Sequence, residues 1–152
     1  MTVNKKLERL LESVGDMALK RRARTIVEEL NPRESEKILD VGCGDGYYLY
    51  LLSNLGINLD LSGVDSDPNA LKSARRNLKG KRIRFFQADL MQGLPFKAES
   101  FDKAVMSEVA EHLPNDLAGL KEVYRVLTPG GVLVLTVPNA NYPFFWDPIN
   151  YV

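Results

Sequence analysis

Three glycines stand at alternate positions, Gly42, Gly44 and Gly46, within ILDVGCGDGYYLYLL (residues 38–52). The apolar run KILDV precedes them. Behind them Tyr48, Leu51, Leu52 and Leu55 recur at helical spacing until Gly56. This is a buried strand turning through bare backbone into a helix. A tight turn needs one glycine or two. Three in alternation point to a small molecule that the backbone must approach closely.

The same strand–turn–helix unit then repeats. Residues 59–65 (LDLSGVD) read as a second strand, and Asp67-Pro68 starts a helix carrying Leu71, Ala74 and Leu78 as far as Gly80. Residues 82–89 and 101–108 read as a third and a fourth strand. A helix bearing Leu117, Leu120, Val123, Tyr124 and Leu127 is ended by TPGG (residues 128–131), and residues 132–139 form a fifth strand. Two helices come first: one with Val3, Leu7, Leu10, Leu11 and Val14 on a face and ending at Gly15, the next with Leu19, Ala23, Ile26, Val27 and Leu30 and stopping at Asn31-Pro32. Alternating strands and helices imply right-handed crossovers and an α/β fold with a parallel sheet covered on both faces. Ligands of such sheets sit at the carboxyl ends of the strands. The polar clusters at 42–46, 65, 89 and 107–112 all fall there.

Charge narrows the ligand. Twenty basic and twenty acidic residues are interspersed and cancel, which argues against duplex nucleic acid or an anionic membrane as the main partner. The basic runs LKRRAR and ARRNLKGKRIR read as solvated faces. With one cysteine, Cys43, there is no intrachain disulfide and no cysteine metal cluster. The N-terminus has no targeting pattern, and no apolar run nears the ~20 residues of a membrane span. The expectation is a cytoplasmic protein.

Two ligands compete for the glycine loop. A dinucleotide site has G-x-G-x-x-G and an acid some 20 residues on. Asp65 supplies the acid, but the spacing here is G-x-G-x-G, and Tyr47 stands where the third dinucleotide glycine would allow close helix packing. Asp40 and Asp45 would also repel a pyrophosphate. They suit a ligand with a positive group.

With ILDVGCGDG, GVDSDPNALKSAR, FFQADLMQGLPFKAESFDKAVMSEVAEHL and VYRVLTPGGVLVLTVPN in that order, the chain resembles a class I S-adenosylmethionine-dependent methyltransferase of the small-molecule type that includes the quinone-biosynthesis enzymes. The resemblance implies a doubly wound, Rossmann-like sheet of strand order 3-2-1-4-5. The length implies one domain over 1–152: a helical cover (1–31), a cofactor-binding core (37–139) over which the resemblance extends, and an aromatic, proline-rich tail (140–152). Gly42, Cys43, Gly44 and Gly46 would lie under the methionine part of the cofactor. Asp40 would approach its ammonium, directly or through water. Asp65 would take both ribose hydroxyls, with Ser66 beneath the adenine. Ala88, Asp89 and Leu90 would contact the adenine. Ser107, Glu108 and Val109 would lie beside the sulfonium and the acceptor. The plainer alternatives are an Asp40 that only props the loop, an Asp89 that is a loop acid, and a Cys43 that is merely small.

Methyl transfer needs a base only if the acceptor must lose a proton. The single histidine, His112, with Glu111 beside it, is either that base or acceptor-orienting group, or a partly exposed residue in the turn before Pro114. No Asn/Asp-Pro-Pro-aromatic stretch stands near Ser107 and no Pro-Cys dipeptide occurs. A small or lipid-like acceptor is therefore expected. The resemblance also implies two more strands after the fifth, which the tail NANYPFFWDPINYV does not supply. The fifth strand would then be an edge, covered by the tail or by a second chain in a dimer, or the chain would be part of a longer enzyme. Phe144, Phe145 and Trp146 would seal that edge or line an apolar pocket. The alternative function is a cofactor-binding module without activity of its own.

Overall fold

Local side-chain chemistry sets where the elements begin. In the computed structural model, which describes residues 2–138, Thr2 caps α1 (Val3–Leu11) and Asp16 caps α2 (Met17–Leu30) by accepting from Ala18 and Leu19 N–H. After β1 (Lys37–Val41), α3 (Tyr47–Asn54) and β2 (Asp60–Asp65), Asp67 accepts from Asn69 N–H and starts α4 (Pro68–Asn77) with proline in its first turn. β3 (Ile83–Gln87) and β4 (Phe101–Ser107) follow, then α5 (Asp116–Val126), capped by Asn115, and β5 (Leu127–Thr136). Single 3-10 turns cover Leu90–Gln92 and Ala110–His112.

The five strands pair in parallel in the order β3-β2-β1-β4-β5, the expected order. Alternate residues of each strand face opposite sides. Ile38, Leu61 and Val105 pack with Leu7, Leu11, Ile26 and the leucines of α3. Leu39, Val41, Val64, Ala104 and Met106 pack with Val123, Val126 and Phe101. Burying each such side chain is worth roughly 1.5–3 kcal/mol, so the sheet is anchored on both faces. Mid-strand Gly63 leaves room for the loop: a Cβ there would lie 2.9 Å from Cys43 Sγ and 2.7 Å from Leu49 Cδ1. The order reverses between β1 and β4, and that switch point is where a ligand crevice opens.

Several boundaries differ from expectation. The first helix ends at Leu11, and Val14 N–H closes a turn onto Leu11 O. The third strand ends at Gln87 because the Asp89 carboxylate accepts from Met91 N–H and starts a 3-10 turn. Leu127 is extended and pairs with Phe101, so α5 runs straight into β5. Thr128–Gly131 form an irregularity before the pairing resumes at Lys103 and Val132. β5 ends at Thr136, and Asn139 and the tail, with Phe144, Phe145 and Trp146, lie outside the described residues. Among the described residues β5 pairs with β4 alone. No helix among them is long and apolar enough to cross a membrane.

Candidate active site

The three loop glycines are bare for different reasons. A Cβ on Gly42 would lie 2.4 Å from Val109 Cγ2, and one on Gly46 would lie 2.7 Å from Cδ1 of Leu78, the C-cap of α4. These two are bare because neighbouring elements press on them. Gly44, at φ +52°, has nothing within 4 Å of its missing side chain. It faces open space, as a cradle for a ligand must. The loop is tied to β2 by Gly42 and Cys43 N–H, which both donate to Val64 O at 2.8 and 3.0 Å.

Asp65, the last residue of β2, completes that tie. Its Oδ2 accepts from Gly44 N–H at 2.8 Å and its Oδ1 from Asp67 N–H at 2.9 Å. The two bonds fix the carboxylate beside the loop, and each oxygen keeps a lone pair for a further donor. Asp67, not Asp65, caps α4. Gln87 Nε2 donates to Ser66 O at 3.3 Å and steadies the next residue.

Asp40 sits in the sheet beneath the loop, 1% exposed. Its Oδ2 is buried without a hydrogen-bond partner. Burial first, and then the nearby Asp65 charge, push its pKa up to about 7. A buried acid left with an unpartnered oxygen is costly unless something completes it. A cationic group above the loop would do so. Cys43 is inert by comparison: burial, with Asp40 and Asp65 adding to it, drives its thiol well above its usual range.

A cleft of about 470 Å³ opens over the carboxyl ends of β1, β2 and β3 and the segment after β4. Of the residues singled out in the sequence, Gly42, Asp65, Ser66 and Ala88 line it, as do Asp89, Leu90, Glu108, Val109 and His112. Asp89 also accepts from Gln92 Nε2, so its carboxylate serves a turn while lining the cleft. Asp40, Cys43, Gly44, Gly46, Ser107 and Glu111 are not part of that lining. His112 has a side chain 78% exposed, with Glu111 Oε1 3.8 Å from its Nε2.

Sequence reasoning missed a polar network beside the cleft. Tyr48 and Ser107 hydroxyls meet at 3.0 Å, Ser107 and Thr136 at 2.8 Å, and Thr136 donates to Glu108 Oε1 at 3.1 Å. Arg22 of α2 comes within 3.7 Å of Glu108 Oε2. Arg22 lies in a basic run that reads as solvated, and Tyr48 reads as part of an apolar helix face. Neither pattern signals a contact that exists only once α2, α3, β4 and β5 are packed together.

A glycine loop after the first strand, an acid fixed to it from the end of the second, and a crevice at the switch point define a class. It is the nucleoside-binding α/β fold of class I S-adenosylmethionine-dependent methyltransferases. The chain belongs to the family described as "Methyltransferase domain", whose model matches residues 39–135. A demethylmenaquinone methyltransferase of Staphylococcus aureus is 30% identical over 146 residues, 94% of this chain and 60% of that protein. The chain thus spans about 60% of the length of the curated relatives it matches. An S-adenosylmethionine-dependent methyltransferase from Mesorhizobium loti superposes with a TM-score of 0.69 at 25% identity, over 85% of this chain and 56% of that one. One from Aquifex aeolicus superposes at 0.74, with 22% identity, over 98% of this chain and 80% of that one, and shows the shared fold.

Proposed function

We propose that this chain binds S-adenosylmethionine in the cleft and transfers its methyl group to a small or lipid-like acceptor. One observation carries the reading: Asp65 is hydrogen-bonded to the backbone of Gly44, the one loop glycine that faces open space. That geometry joins an acceptor of two hydroxyl hydrogens to a cradle for an uncharged backbone contact, and no phosphate is required. When bound, the cofactor supplies an already activated methyl group.

The remaining tasks fall to the chain. Asp65 accepts from the ribose hydroxyls with the lone pairs its backbone bonds leave free. Ser66, Ala88, Asp89 and Leu90 form the adenine end, with Asp89 accepting from the exocyclic amine. Gly42, Cys43, Gly44 and Gly46 carry the methionine part, and Ser107 lies toward the sulfonium. Asp40 compensates the positive charge from below. His112, with Glu111 behind it, orients the acceptor at the rim. In-line transfer from a sulfonium gains most from positioning and from exclusion of water. The balanced charge favours a small or lipid-like acceptor over nucleic acid. The relative named for demethylmenaquinone makes hydroxylated quinols the first acceptors to try. A lone buried thiol suits the reducing cytoplasm.

The test is transfer of labelled methyl from S-adenosylmethionine to a panel of naphthohydroquinones, fatty acids and amines. Label appearing in one acceptor class supports the reading. Cofactor binding without label in any would leave a binding module and contradict the transferase assignment.

A further inference from the structure

The helix α5 carries a glycine in its interior, Gly119, although glycine weakens a helix there. What it makes room for lies on the cleft side. A Cβ on Gly119 would lie 2.5 Å from Leu113 Cδ1 and 3.3 Å from Leu90 Cδ2. Leu90 and Leu113 both line the cleft, so the bare backbone of α5 sets how deeply they seat.

One turn further along α5, Glu122 and Arg125 hold the next stretch of the wall. Gly93, at φ +98°, turns the chain out of its 3-10 turn, and Leu94 N–H then donates to Glu122 Oε1 at 2.6 Å. Arg125 Nη2 donates to Leu94 O at 3.3 Å, and its Nη1 donates to Phe96 O at 2.9 Å. The guanidinium also closes on Glu122, Nε to Oε2 at 2.8 Å and Nη2 to Oε1 at 2.6 Å. That contact holds the Glu122 carboxyl below its usual range, so the pair stays charged. Leu90 and Leu94 are buried in the cluster that includes Val123 of α5, and both line the cleft with Asp89. Gly119, Glu122 and Arg125 are not part of that lining and stand behind it.

We infer that Gly119, Glu122 and Arg125 are positioning residues that set the width of the adenine end of the cleft, so that this chain selects a cofactor whose exocyclic amine is unsubstituted. This rests on the methyltransferase reading, in which Asp89 accepts from that amine. A bulky group on the amine needs room that the wall gives only if Leu90 or Leu94 moves, and tight packing yields at a cost. The bonds from Glu122 and Arg125 to the backbone of Leu94 and Phe96 resist such a movement.

The test titrates the full chain calorimetrically with S-adenosylhomocysteine and, separately, with its derivative benzylated on the exocyclic amine. The wild type should prefer the parent ligand by about tenfold or more, the cost of overpacking a formed wall. Arg125→Ala frees Leu94 and should bring the two ligands within about threefold. Arg125→Lys keeps a cation beside Glu122 without the fork that reaches both carbonyls, and should fall between. It decides the matter if Arg125→Ala does not fold. Gly119→Ala drives Leu113 and Leu90 toward the cleft and should raise the preference above the wild-type ratio. A variant that merely unfolds in part weakens both ligands by one factor and leaves their ratio alone. Equal affinities in the wild type, a ratio unchanged in the folded Arg125 variants, or a ratio that Gly119→Ala lowers or leaves unchanged overturns the inference. Failure of the wild type to bind S-adenosylhomocysteine overturns the methyltransferase reading beneath it instead.

Discussion

Asp40 and Asp65 are both carboxylates near strand ends, and their surroundings differ. Asp65 receives two backbone N–H groups, whereas Asp40 is buried with one oxygen unpartnered. Burial raises the Asp40 pKa from 3.8 to about 7. Between those values the folded chain holds a proton that the unfolded chain has lost. Its contribution is complete below pH 3.8 and is lost as pH rises to about 7, by about 4 kcal/mol in all. Urea unfolding of the ligand-free chain across this range should show that decline, and Asp40→Asn should flatten it. An equal slope in the variant would place the titration elsewhere. At Asp65 the expectation concerns the ligand: Asp65→Ala should weaken S-adenosylhomocysteine binding by about 1.5–3 kcal/mol, read by calorimetry on a variant of unchanged circular dichroism. Unchanged affinity would remove Asp65 from the ribose site. At this scale the sequence was informative where a residue's role is fixed by its place along the chain. Asp65 ends a strand some 20 residues past the loop, and Asp67 stands before a proline. It placed Glu108 at the end of the fourth strand but was silent on the hydrogen-bonded network around it, whose members Arg22, Tyr48 and Thr136 are brought together by folding.

At the scale of elements the loop is held by contacts on both sides. Gly42 meets Val109 from the segment after β4, and Gly46 meets α4. Gly42→Ala should therefore cost about 1–3 kcal/mol, from a Cβ pressed onto Val109 and a φ of +69° that suits glycine. Adding Val109→Ala should recover part of that loss in denaturant titrations. Strictly additive losses would show that Val109 is not the obstacle. The elements themselves were largely legible in the sequence, because strand and helix periods differ and Asp67-Pro68 marks a helix start. The boundaries were less so. Asp89 stops β3 two residues early through a bond to Met91 N–H, and Leu127 leaves α5 for β5 through its pairing with Phe101. Both depend on partners that helical or strand periodicity does not encode.

For the whole molecule, parallel pairing in the order β3-β2-β1-β4-β5 brings the ends of β1, β2 and β3 to one crevice. The strand–helix alternation was enough to foresee a parallel sheet with its ligand at the strand ends, and the family resemblance implied the strand order. The network of Arg22, Tyr48, Ser107, Glu108 and Thr136 was not foreseeable in the same way, because it is assembled from α2, α3, β4 and β5 at once. The measurement that tests the central claim most directly is calorimetric titration of this chain with S-adenosylhomocysteine, with NAD run in parallel. The account expects S-adenosylhomocysteine to bind in the micromolar range and NAD not to bind. Binding of NAD alone, or of neither by a folded chain, would contradict it.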